Sequence, residues 1–237
     1  MKRKKKQQLI EPPLPLTLSS IDGTPAHVFP NAQVESLRQL LTRLDQKEQV
    51  PGRLGVVAAL RQEGVTNTAM ALAATLANDQ LKRVCVLDLN WYWPSESPLV
   101  APDNPGLAAV LGNEAALEDV IAPSGWSNLV LIPAGKLARP NRPVMARSQA
   151  LRELLNELDQ RYDHLILDIP AILATNDSVP LASLSDACCL VIRQGVTPVE
   201  DVRLALDEIE HLTILGTVLN QAHYATPAVI LKFIPTR

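Results

Sequence analysis

Three cysteines and four histidines are all that 237 residues offer to a soft metal. No two histidines stand at ligand spacing, and Cys188 and Cys189 are neighbours in an apolar run, so neither a zinc pattern nor a disulfide framework is present. Such cysteines suit a buried strand in a reduced compartment. Long apolar runs are also missing. None approaches the roughly 20 residues of a membrane-spanning helix, and the first residues have no signal-peptide pattern. The expectation is a soluble, cytoplasmic chain, at most peripheral at the inner face of the membrane. Aromatic residues make up only 3 % of the sequence, yet Trp91, Tyr92 and Trp93 stand side by side.

What charge there is lies unevenly. The net value of −3 hides a basic tip, Lys2, Arg3, Lys4, Lys5 and Lys6, so the rest of the chain is more acidic than the total suggests. Terminal charge runs are usually solvated tails; the alternative is contact with anionic lipid, and a nucleic-acid partner is not expected. The segment EPPLPL follows, with prolines that favour extended backbone and leave no helical period. Residues 1–30 therefore read as a basic, Pro-rich arm, flexible or wrapped on the surface. Residues 31–237 read as one α/β domain, a length with ample core.

From Asn31 to Lys47 the apolar positions Val34, Leu37, Leu40, Leu41 and Leu44 recur at helical spacing. Beyond them, strand-like runs ending in Asp88, Gly135, Asp168, Gly195 and Gln221 alternate with helical segments, including Ser148 to Arg161 and Pro198 to His211. A Pro-rich loop separates Gly135 from Ser148, and VILKFI near the end suits a short strand or a docking segment. Such alternation predicts a doubly wound, mainly parallel sheet flanked by helices. Asp88 and Asp168 close their strands, on the side where open α/β sheets bind ligands.

The organising stretch is LGVVAALRQEGVTNTAMALAATLA, residues 54–77. It has an apolar run, a polar connection and a helix apolar on every face, as in a mononucleotide-binding unit. A phosphate-binding loop G-x-x-x-x-G-K-[ST] cradles phosphate with backbone N–H groups, reaches it with Lys and holds Mg²⁺ with a hydroxyl. Gly64 and Thr66 occupy the last Gly and hydroxyl positions. Val65 occupies the Lys position and Ala59 the first Gly position. Arg61 is the nearest cation in sequence, with a solvent-facing loop charge as its plainer reading.

These residues, with VCVLDLNWYWPS, YDHLILDIPAILATNDSVPLASLSDACCLVIRQG and ILGTVLNQAHY, resemble the cytoplasmic tyrosine-kinase domains of bacterial polysaccharide co-polymerases, the CpsD/CapB type. That family lies within the P-loop class of the MinD and ParA ATPases. The resemblance runs from about Pro30 to about Tyr224. It implies nucleotide contacts at Glu63, Gly64, Val65, Thr66, Asn67 and Asn220, and Mg²⁺ held by Thr66, Asp88 and Asp168. If the chain is active, Asp88 and Asp168 would be its catalytic carboxylates. It further implies that Asp177 matches a family aspartate. Glu35 and Arg38 would be part of a subunit-contact pattern whose last position is Leu41. The departures are Val65 for Lys, Asn90 for the second motif's second Asp, Trp91-Tyr92-Trp93 for a basic pair, and a tail with only Tyr224.

The resemblance with these departures implies a non-catalytic relative that regulates or scaffolds exopolysaccharide or capsule assembly, with ATP and Mg²⁺ bound weakly or not at all. Its partner would be a Wzz-like membrane co-polymerase or an active paralogue. The alternative is an active ATPase or protein-tyrosine kinase with an atypical loop. A second alternative, a ParA/MinD-like positioning ATPase, calls for a Lys-rich stripe on a C-terminal helix, which is absent.

Overall fold

The computed structural model describes residues 15–20, 22–46, 50–94 and 97–221. The basic tip, Tyr224 and VILKFI lie outside these residues. Two strands, β1 (Thr17–Ser19) and β2 (Pro25–Val28), form an antiparallel ladder ahead of α1 (Asn31–Asp45). The main sheet then begins with β3 (Arg53–Ala58), followed by α2 (Val65–Asp79) and β4 (Val84–Asp88). Two short helices, α3 (Gly106–Leu111) and α4 (Leu117–Val120), lead to β5 (Ala122–Pro123) and β6 (Leu129–Ile132). Next come α5 (Arg142–Ala146), α6 (Gln149–Arg161), β7 (His164–Asp168) and α7 (Ser178–Ala182). The last described elements are β8 (Ala187–Arg193), α8 (Val199–Glu208) and β9 (Ile214–Asn220).

The seven strands of the main sheet lie in the order β5-β6-β4-β7-β3-β8-β9. All neighbouring pairs are parallel except β5 with β6. The fold is therefore the doubly wound α/β architecture that the alternation predicts. β3 is central and buried on both faces, which explains its unbroken apolar run rather than an alternating one. One face of the sheet packs against α3, α4, α6 and α8 through residues such as Leu107, Leu117, Leu151, Leu155 and Ala205. The other packs against α2, which is itself covered by α1 and the β1–β2 ladder. That second cover is why α2 is apolar all round, with Thr68 through Ala77 buried.

Of the two readings open for the arm, the described residues 15–20 and 22–30 follow the wrapped one, with Leu16, Leu18 and Phe29 buried in the α1–α2 core. The Pro-rich loop after β6 contains a 3-10 turn, Arg139–Asn141, and α5, each with Pro in its first turn. Proline's fixed φ suits that position and its missing N–H costs nothing there. Finally, α3 begins at Gly106, whose φ of +71° and close approach to the Gly135 backbone leave no room for a Cβ. This contact lets Leu107 and Ala108 donate to the carbonyls of Pro133 and Ala134 at 2.8 and 3.0 Å.

Candidate functional site

The C-terminal ends of β3, β4 and β7 converge on one crevice. Parallel pairing sets Asp88 opposite Asp168 in register, and both side chains are buried. The loop after β3 faces this pair, and Thr66, in the first turn of α2, lies near enough to the Asp168 carboxyl to favour its ionised form. Burial first, and the negative charge of Asp88 second, push the Asp168 carboxyl well above its ordinary 3.8, against the pull of Thr66. Asp88 accepts from the backbone N–H of Asn90 at 2.8 Å, and Asn90 in turn accepts from the N–H of Trp93 at 3.1 Å. The Asn90 side chain thus builds the turn after β4.

The loop itself is held in an unusual backbone. Gln62 has φ of +65° and Gly64 of +92°, left-handed values whose cost surrounding structure must meet. Asn220, at the end of β9, supplies that structure by donating to the Glu63 carbonyl at 2.8 Å. A Cβ on Gly64 would collide with the same Asn220 amide, so only glycine fits. The Glu63 carboxylate is buried and accepts from the Thr197 hydroxyl through Oε1, while Oε2 has no partner among the described residues. Val65 opens α2 half-buried against the core. Asn67 turns toward the opposite layer, accepting from Gln33 at 2.6 Å and lying 3.0 Å from the His27 ring nitrogen.

Arg61 is exposed but not simply solvated, because its guanidinium lies 3.8 Å from the centre of the Trp93 ring. Trp93 is tilted against Tyr92, which carries the Arg142 guanidinium 4.8 Å from its own ring centre. The Tyr92 hydroxyl donates to Asp177, whose other oxygen takes Arg147 at 2.5 Å. Trp91, by contrast, is a core residue at 1 % exposure. Far from the crevice, Arg38 pairs with Asp79 through two nitrogens and lies 3.6 Å from Glu35. Arg83 pairs with Asp163 at the far end of its strand.

No family model matches the chain. Tyrosine-protein kinase YwqD of Bacillus subtilis (strain 168) is 29% identical over 168 residues, which are 70% of this chain and 70% of that protein. Tyrosine-protein kinase etk of Escherichia coli (strain K12) is 27% identical over 195 residues, 80% of this chain but 27% of the relative. The solved VpsO kinase domain superposes with a TM-score of 0.73 at 26% identity, covering 81% of this chain and 95% of that one. Its homologues are bacterial tyrosine-protein kinases. ExoP of Rhizobium meliloti (strain 1021), a succinoglycan biosynthesis transport protein, is 27% identical over 173 residues, 71% of this chain and 22% of its own length. The chain thus spans about a quarter of the longer relatives. MinD of Pyrococcus horikoshii OT3, solved with Mg-ADP, has a TM-score of 0.57 at 22% identity over 76% of each chain and shares the fold.

The oxygen set of Asp88, Asp168 and Thr66 suits a hard cation such as Mg²⁺, which needs only one or two carboxylates alongside phosphate and water. Two like charges in one buried site also favour a cation between them. Because the folded state holds the Asp168 proton more tightly than the unfolded chain, its contribution to stability is complete below about pH 4 and is lost as pH rises through the raised value. Asp168→Asn is therefore expected to stabilise the protein at pH 7 by about 1–2 kcal/mol, as changes at functional sites often do, with a smaller gain at pH 3.5. Urea denaturation at the two pH values checks this. Added Mg²⁺ should raise the melting temperature of the wild type and not of the variant.

Proposed function

We propose that this chain is a regulatory or scaffold relative of the exopolysaccharide-associated tyrosine kinases, one that keeps the frame of a nucleotide site without efficient phosphoryl transfer. The observation that carries this reading is Val65. It begins α2 directly after the left-handed Gly64, at the position where the resemblance expects the phosphate-contacting Lys. Phosphoryl transfer rests on positioning and on neutralising charge at the phosphate oxygens. Removing one such contact costs on the order of 10²–10³ in rate. Arg61, the nearest loop cation in sequence, lies on Trp93. Asn90 serves a turn where the resemblance expects a second carboxylate.

In this reading Thr66, Asp88 and Asp168 hold Mg²⁺, and the N–H groups of residues 63–67 meet phosphate. Asn220 keeps Gly64 in place, and Glu63 anchors the loop to Thr197. Mg²⁺, when bound, would neutralise phosphate charge. The kinase homology and the relative named for succinoglycan transport support work at the cytoplasmic side of polysaccharide assembly, beside a membrane co-polymerase or an active paralogue. Glu35 and Arg38 are the candidate self-contact, although Arg38 already holds Asp79. An active ATPase or tyrosine kinase is the second reading, favoured by the intact Asp88–Asp168–Thr66 set.

Titration of a fluorescent ATP analogue with Mg²⁺, with hydrolysis followed in the same samples, separates the two. Weak or absent binding without turnover is expected. Turnover that disappears in Asp168→Asn would overturn the scaffold reading.

A further inference from the structure

Tyr92, Trp93 and the chain from Gly135 to Arg147 play no part in the nucleotide reading, yet they form one connected surface. From Val120 to Arg152 the sequence contains no Asp or Glu, while Lys136, Arg139, Arg142, Arg147 and Arg152 are all basic. Elsewhere among the described residues Arg38, Arg53, Arg83 and Arg161 sit in ion pairs. Among the described residues Lys136, Arg139 and Arg142 have none, and neither does Arg61 across the crevice mouth. Arg142 is aimed rather than loose: its Nε donates to the Leu137 carbonyl at 3.2 Å and its guanidinium rests on Tyr92. Tyr92 and Trp93 form a tilted pair with ring centres 5.6 Å apart, and Trp93 carries Arg61 on its other side. Two guanidiniums therefore flank an aromatic pair.

Beside them is an open depression of about 670 Å³ lined by Pro143, Val144, Arg147, Ser148, Asn176 and Asp177. Its wall is stiff, because Arg147 is spent on the buried Asp177, on the Asn176 carbonyl at 3.1 Å and on the Pro143 carbonyl at 3.0 Å. Val144 is 72 % exposed at its edge. Planar guanidiniums held in fixed orientation suit carboxylates, which they grip through two parallel bonds.

We propose that this rim is a docking site for an acidic peptide segment of a partner protein. Its Asp or Glu carboxylates sit on Arg139 and Arg142, and a neighbouring apolar or aromatic side chain lies in the depression against Val144. The two arginines that take the carboxylates, Arg139 and Arg142, lie outside the phosphate loop, so the proposal does not depend on whether nucleotide binds.

The test is fluorescence anisotropy of a labelled glutamate–tyrosine copolymer with the full chain, at low and at physiological salt. Binding is expected. It should weaken roughly tenfold or more in Arg139→Gln/Arg142→Gln, the loss of charge-assisted contacts, and stay within about twofold in Arg43→Gln/Arg203→Gln, which removes the same charge elsewhere. Val144→Glu leaves every arginine in place and should weaken binding too, by putting a like charge at the edge of the depression. Equal losses in the two arginine pairs would reduce the effect to bulk charge and overturn the proposal. So would an inert copolymer, with single-stranded RNA or phosphatidylserine vesicles bound through Arg139 and Arg142 in its place.

Discussion

Lysine in place of Val65 is expected to raise the affinity for Mg-ATP at least tenfold. A hydrogen bond to a charged group contributes about 1.5–3 kcal/mol, which spans roughly ten- to 150-fold in affinity. In the proposed reading the remainder of the cradle is already built. Gly64 holds its left-handed turn, α2 presents its N-terminus with no acidic residue in the first turn, and helix N-termini favour anions. Val65 is half-buried, so a lysine stem at this position covers the same apolar surface while its head reaches the loop. Binding should return before turnover does, because Asn90 remains. Titration of the variant against the wild type with the same analogue is the check. An unchanged affinity would mean that Asn220 and the loop backbone, rather than the missing charge, keep phosphate out.

Trp91→Ala should have the largest effect on stability, a loss of about 3–5 kcal/mol in urea denaturation, the range for emptying a large buried site. Trp91 sits in the core formed by β4, α3, α6 and β7, and its indole N–H donates to the Ala134 carbonyl at 2.9 Å. That carbonyl also accepts from Ala108, so it keeps a partner when the indole is lost. Trp91→Phe should therefore cost much less, about 1 kcal/mol for one hydrogen bond plus imperfect filling. Trp93→Ala gives up a contact with Arg61 worth about 0.5–1 kcal/mol at an exposed site, and its melting curve should stay close to the wild type. Three adjacent aromatics thus divide between core and crevice mouth.

Much of the fold was legible because its signals are local. The unbroken apolar run of β3, the helical spacing of α1 and α6 and the carboxylates closing β4 and β7 each report burial along a single element. The short β1–β2 ladder and β5 left no such trace and went unread, and the two helical turns around Pro140 and Pro143 read as loop. Within the site, Gly64, Thr66, Asp88 and Asp168 were marked by motif. Nothing marked the link from Glu63 to Thr197, the Arg61–Trp93 stack or the Tyr92–Asp177–Arg147 network, because each joins residues tens of positions apart, up to 134 for Glu63 and Thr197.

By itself, the sequence determined that this protein is a mainly parallel α/β domain with a carboxylate at two strand ends, and its resemblance marked Val65 as the position where a lysine is expected. Which side chains meet was decided only by the tertiary structure. Strand order set Asp88 against Asp168 and brought Asn220 onto Gly64. The same packing turned Asn67 toward His27 and Gln33, and it separated Trp91 from Tyr92 and Trp93. The physical reason is that periodicity encodes how much of an element is buried, whereas the partner it is buried against depends on the order in which distant elements pack.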